Sequence, residues 1–255
     1  MSIRIFPKNK QGYGAFNGGE IVENKPIGFP QDHSEIRPYS NLFYWAHARA
    51  VTDSTIGLHP HQGFEICSFV LNGEIRHYDT KLKEWRSLKA GDVQIIRAGN
   101  GISHSEFMAQ DAEMFQIWFD PNLQKTLSQP ASYDDYAAST FPVSDLGNGG
   151  KLTTLAGEGS PFTMDTPGVE VLRINLPAGQ VYTLQLDDSA MASLYVLKGT
   201  ANINGEQVAV SDFVLSGDAS ALAIEAETEV EVFVILSPLE TDYPTYTQLR
   251  RAEMN

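Results

Sequence analysis

Two short segments hold the side chains best suited to chemistry. In Gly57-Leu58-His59-Pro60-His61-Gln62-Gly63-Phe64-Glu65 two histidines stand two residues apart. Further on, Gly99-Asn100-Gly101-Ile102-Ser103-His104-Ser105-Glu106 repeats that spacing with an imidazole and a carboxylate. On a β-strand, residues i and i+2 project to the same face, so each pair can aim both groups at one point. Three imidazoles and one carboxylate suit a divalent transition metal and leave coordination positions open. A structural zinc would more often draw on several cysteines, and Cys67 is the single one in the chain. The competing reading is a set of hydrogen-bonded strand histidines, but two such pairs beside glycine-rich turns favour the ion.

Other titratable residues carry weaker signals. By strand parity Glu65 shares the face of His59 and His61, which makes it a rival to Glu106 or a partner for an imidazole N–H. His77 and Asp79, in His-Tyr-Asp, read as a strand imidazole bonded to a nearby carboxylate. His47, beside Phe43, Tyr44 and Trp45, reads as core packing, and Cys67, between Ile66 and Phe69, as a buried hydrophobe. The alternating Glu225, Glu227, Glu229 and Glu231 read as the solvated face of one strand.

The elements that must position these groups are mostly strands. Runs rich in Val, Ile, Phe and Tyr recur with turn residues between them, the pattern of a sandwich or barrel. In the first half they are 64–71, 74–79, 92–97 and 114–119; in the second, 169–176, 181–186, 193–197, 200–203, 208–215, 221–224 and 229–236. Asn72-Gly73 fits a tight hairpin turn with positive φ. Residues 133–138 offer one short helix, and 145–150 read as a loop. The halves echo each other: FVLNGEIRHYD aligns with YVLKGTANING, and KAGDVQII with AVSDFVLS, which argues for two similar β-barrels. We place the boundary between residues 1–135 and 136–255.

Charge and histidine are unevenly divided. Of 255 residues, 32 are acidic and 18 basic, a net charge of −14. Residues 1–135 hold 13 basic and 16 acidic residues, and residues 136–255 hold 5 and 16. Such a balance opposes the counterion release on which direct nucleic-acid binding relies. All six histidines lie within the first 104 residues, so imidazole chemistry belongs to the first half. No apolar run approaches a membrane span and no secretory segment opens the chain, so no membrane contact and a cytoplasmic location are expected.

The two segments together resemble the signature of the pirins, a branch of the cupin superfamily. HPHQGFEICSFVLNGEIRHYDT followed by AGDVQIIRAGNGISHSE is similar to a pattern reading HPHRGFE, a strand, VLEG, HxDS, then PGDxQWMTAGxGIxHSE. The likeness is dense from Gly57 to Glu106 and extends more weakly over the two-domain layout. Gln62 stands where Arg is common, and Ile95-Ile96-Arg97 replaces Trp-Met-Thr, which alters the pocket wall.

The resemblance implies an all-β fold of two tandem cupin barrels, a bicupin. The first barrel would hold one metal through His59, His61, His104 and Glu106, and the second would have no ligands. It implies iron(II), with Ni, Cu, Co, Mn or Zn as alternatives, and a quercetin 2,3-dioxygenase-like reaction. There a flavonol-like substrate is opened by O2 with release of carbon monoxide. A carboxylate beside a bound hydroxyl has two roles open to it, so Glu106 either stays a ligand throughout or takes the substrate's proton as general base. The alternative is a non-catalytic, metal- and redox-sensing regulator that binds a partner protein. A monomer is expected.

Overall fold

The strand-forming runs expose backbone N–H and C=O groups that only pairing can satisfy, and glycine- or asparagine-bearing turns fold them back on one another. The computed structural model describes residues 3–217 and 219–254. The chain forms two β-barrel units of the cupin type, so the bicupin expectation holds. One comprises residues 11–139, 164–167 and 241–254; the other comprises residues 3–10, 140–163 and 168–240. No helix among the described residues is long and apolar enough to cross a membrane.

The first unit carries a seven-stranded antiparallel sheet in the order Ser132–Tyr136, Val93–Arg97, Glu65–Asn72, Glu113–Phe119, Leu42–Ala50, Ile21–Ile27 and Gly12–Phe16. Its four-stranded sheet runs Ser54–His61, Ile102–Met108, Glu74–Asp79 and Trp85–Lys89. The second unit repeats this plan. Its larger sheet runs Arg4–Phe6, Phe213–Ser216, Ala190–Lys198, Val230–Pro238, Glu170–Leu176, Lys151–Ala156 and Val143–Asp145. Its smaller one runs Val181–Gln185, Ala221–Ala226, Thr200–Ile203 and Glu206–Ala209.

The internal echo in the sequence falls on equivalent strands. Phe69 to Gly73 and Tyr195 to Gly199 each end a central strand of the large sheet and turn into the small one. Asn72-Gly73 is therefore a corner between sheets, where a hairpin was expected. Gly73 has φ 73°, and a Cβ there would stand 3.0 Å from the Ala112 Cα, so glycine is required twice over. Asn204-Gly205 is the true two-residue hairpin: Ile203 pairs with Glu206, and both turn residues have positive φ.

Three other expectations are corrected. Residues 133–138 do not form the expected helix, because Ser132–Tyr136 pairs with Val93–Arg97 at the edge of the large sheet and a 3-10 turn starts only at Ala138; pairing outweighs a weak local preference. The run 208–215 breaks at Ser211, φ 72°, into two strands of different sheets. The glutamate run crosses from Ala221–Ala226 to Val230–Pro238, so it is not one strand face; Glu231 turns to pair with Arg173.

Candidate metal centre

His59 and His61 sit on Ser54–His61, the edge strand of the small sheet, where the missing N–H of Pro60 does no harm. The adjacent strand, Ile102–Met108, carries His104 and Glu106. Register places His104 directly opposite His59 and Ile102 opposite His61, with a bulge between His104 and Glu106. Both histidine pairs thus face the barrel interior, as their spacing predicts.

The three imidazoles converge through Nε2. His104 Nε2 lies 2.8 Å from His59 Nε2 and 2.9 Å from His61 Nε2. The His59 Nδ1–H donates to the Gly57 carbonyl at 2.8 Å, which leaves a bare Nε2 lone pair facing the other rings. Burial and the neighbouring imidazoles oppose protonation, holding His61 down to about 3 and His104 down to about 2. Facing lone pairs repel unless a proton or a metal cation lies between them. Imidazole–metal bonds of about 2.0–2.1 Å place adjacent nitrogens at right angles about 2.9 Å apart, so the donor set fits one divalent ion. Among the described residues this is the one cluster of three such donors within 4.8 Å of one another.

Glu106 stands just beyond that cluster, its Oε2 3.9 Å from His104 Nε2. Gln116 Nε2 donates to both of its oxygens, at 2.7 and 2.8 Å. Trp118 Nε1 in turn donates to Gln116 Oε1 at 3.3 Å, and its ring packs edge-on against His61. The carboxylate is oriented by this relay yet keeps lone pairs for a ligand or a proton. Behind His104, His77 Nε2 donates to Asp79 Oδ2 at 2.9 Å, while Asp79 Oδ1 accepts from the Lys81 and Leu82 amides. The His77 and His104 rings lie 5.4 Å apart.

Glu65 is corrected. The strand that bears His59 ends at His61, a loop through Gly63 intervenes, and Glu65 starts a strand of the other sheet, so parity does not carry across. Its carboxylate accepts from the Asp165 amide at 2.7 Å and from the Thr166 amide and hydroxyl at 2.8 and 2.5 Å. It clamps the 164–167 segment and serves no imidazole. His47 is half-buried, bonds Glu113 at 2.9 Å and packs on Phe115. Cys67 is fully buried, and burial pushes its thiol well up.

Beside the imidazoles lies a cavity of about 320 Å³, with Phe16, Phe29, Tyr44 and Trp118 as walls and Glu23, Lys25, Glu106 and Gln116 among its polar groups. Glu23 and Lys25 were missed. Both lie on Ile21–Ile27 and are buried with Ile21 and Ile27, so charges occupy inward alternate positions of a strand. That parity was the available signal. Burial raises Glu23 above the usual carboxylate range, with Lys25 pulling it back.

A small, aromatic-walled cup holding three imidazoles in one barrel of a bicupin defines the class of protein, and comparisons agree. The Pirin family model matches residues 29–119. A pirin-like protein of Caulobacter vibrioides is 30% identical over 245 residues, covering 92% of this chain and 87% of its own. The chain belongs to the pirin family. A quercetin 2,3-dioxygenase of Escherichia coli strain K12 is 26% identical over 208 residues, 78% of this chain and 85% of that one. Among solved structures, the nickel(II) complex of the bacterial pirin YhhW from Escherichia coli matches with a TM-score of 0.78 at 24% identity, covering 93% of this chain and 99% of that one. A quercetin 2,3-dioxygenase from Acinetobacter baumannii matches with 0.77 at 22%, covering 98% and 94%.

Proposed function

We propose that this chain is a metal-dependent dioxygenase that opens a flavonol-like substrate with O2 and releases carbon monoxide. The observation that carries the reading is the convergence of three imidazole Nε2 atoms, with an oriented carboxylate beside them, on an aromatic-walled cavity. Relatives named quercetin 2,3-dioxygenase support the substrate class. His59, His61 and His104, with Glu106 as fourth ligand, would hold the metal, iron(II) in this reading. Such an ion supplies the electron exchange between an enolate and dioxygen that neither partner makes readily alone.

The chain's own groups supply the rest. Phe16, Phe29, Tyr44 and Trp118 form apolar walls that hold a planar ring system and keep water away from the reacting carbons. Glu106 takes the proton of the substrate's enolic hydroxyl at its free lone pair, and Gln116 keeps that oxygen aimed by donating to it. Trp118 fixes the Gln116 amide so that its N–H2 and not its oxygen faces Glu106.

The test is direct. Protein loaded with iron(II) without air is given quercetin and then O2, and loss of the flavonol is followed together with carbon monoxide. The expected result is consumption with matching gas release. No consumption with iron, nickel, copper, cobalt or manganese would discard the reading in favour of a non-catalytic metal protein.

A further inference from the structure

The cavity has a polar pocket that the imidazole site does not use. Lys25 and Glu23 are 7% and 4% exposed, and both line the cavity. Asp32 is committed to structure: Oδ1 accepts from Lys25 Nζ at 3.1 Å, and Oδ2 accepts from the Phe29 amide at 2.8 Å. Glu23 is only partly so. The Tyr44 hydroxyl bonds its carboxylate, and its Oε2 forms an ion pair with Lys25 Nζ at 3.3 Å but accepts no hydrogen bond among the described residues. A buried carboxylate oxygen with a cation beside it but no hydrogen bond can still gain one, and a hydrogen bond to a charged group is worth more than a neutral one.

The backbone is arranged around this pair. Gly14 lies opposite Glu23 on the neighbouring strand, and Gly12 lies opposite Lys25. A Cβ on Gly14 would come within 2.7 Å of Lys25 Nζ and 2.8 Å of Glu23 Oε2. Glycine there leaves the two charged heads their places.

We infer that Glu23 and Lys25 form a subsite for a ring bearing two vicinal hydroxyls, one donating to Glu23 Oε2 and its neighbour accepting from Lys25 Nζ. An acceptor and a donor side by side match adjacent hydroxyls, one of which donates while the other accepts. The aromatic walls select a flat ring to carry them. The inference rests on the flavonol reading above and adds to it the feature by which one flavonol is told from another. A lone hydroxyl can engage one member of the pair, and an unsubstituted ring leaves Glu23 Oε2 without a donor and the remaining N–H of Lys25 without an added acceptor.

The experiment uses metal-free protein, so that binding at the imidazoles does not mask the subsite. Affinities for quercetin, kaempferol and galangin, which carry two, one and no hydroxyls on the pendant ring, are measured by quenching of tryptophan fluorescence and by calorimetry. Affinity should fall in that order, by about tenfold or more from first to last. Glu23→Gln and Gly14→Ala should each flatten the series. Gly14→Ala presses only on the flexible ends of Lys25 and Glu23, so it tests the pair in a folded protein. Equal affinity for the three flavonols, no binding of any, or a series that both variants leave intact overturns the inference. Turnover of quercetin without discrimination removes the subsite alone. Discrimination without oxygen uptake removes the dioxygenase reading and leaves the subsite standing.

Discussion

The two barrels correspond strand for strand, yet one is wet at its centre and the other dry. Ser54–His61 and Ile102–Met108 in the first unit occupy the places of Val181–Gln185 and Ala221–Ala226 in the second. Where His59 faces His104, the second barrel pairs Leu184 with Leu222 and Tyr182 with Ile224. Those residues join a continuous apolar cluster with Leu194, Val214 and Val232. Among the described residues every buried carboxylate, imidazole and ammonium lies in the first unit, and the polar side chains that the second buries are the hydroxyl-bearing Ser193, Tyr195, Ser216 and Ser237. The fold therefore does not need its polar centre. The site replaces apolar contacts that the same topology makes elsewhere in the same chain, at the cost of burying polar groups.

The largest effect separating the barrels should come from the imidazoles. His104→Ala removes the ring nearest both others, and metal affinity should fall at least about 100-fold, with flavonol turnover lost alongside it. Metal analysis of protein purified with and without added iron(II) gives the number. Stoichiometric metal in a variant lacking His59, His61 and His104 would place an ion elsewhere and break the comparison. The converse change is Leu222→Ala in the dry barrel. It should destabilise by about 2–5 kcal/mol, read from the denaturation midpoint, while metal per folded chain stays the same.

How far these contrasts were legible depended on whether a strand could be read without its neighbours. The His-x-His and His-x-Glu pairs were legible because each lies inside one strand, where spacing alone sets the face. The second barrel's strands were legible because apolar runs fill them on both sides of a turn. Glu65 was misread because parity was carried through a loop, and only the pairing register shows that the sheet has changed. Glu23, Lys25 and Gln116 escaped because each depends on another strand to become part of a site. Strands 12–16 and 21–27 carry so much glycine, asparagine and charge that they do not look like a barrel wall. Residues 133–138 look helical until Val93–Arg97 offers 132–136 an edge.

A smaller effect should follow from the layer behind the imidazoles. His77→Phe keeps a ring beside His104 and removes the bond to Asp79, so metal affinity should fall by about tenfold while the fold is kept. Calorimetric titration with nickel(II) or zinc(II) reads this without any catalytic assay. Unchanged affinity would reduce His77 and Asp79 to a structural pair. It would also shrink the functional part of the wet barrel to the three rings and Glu106.

The smallest effect concerns how the wet barrel holds its own C-terminal segment, where Asp120 Oδ2 accepts from the Tyr246 amide at 2.6 Å and the Tyr246 ring packs on Phe43 and Phe64. Burial drives the Asp120 carboxyl up to about 7 from 3.8, with that amide bond pulling the other way. The native state therefore keeps its proton to higher pH than the unfolded chain does. Stability from this group is highest below about pH 4, falls as the pH rises through the interval to 7, and stays at its reduced level above it. Asp120→Asn retains an oxygen for the Tyr246 amide but carries no charge. The variant should match the parent near pH 4 and exceed it by on the order of 1 kcal/mol at pH 8, in thermal unfolding across that range. A variant less stable than the parent at pH 8 would mean that the ionised carboxylate is the favoured form. The wet barrel would then hold its C-terminal segment by charge, where burial here argues for a proton.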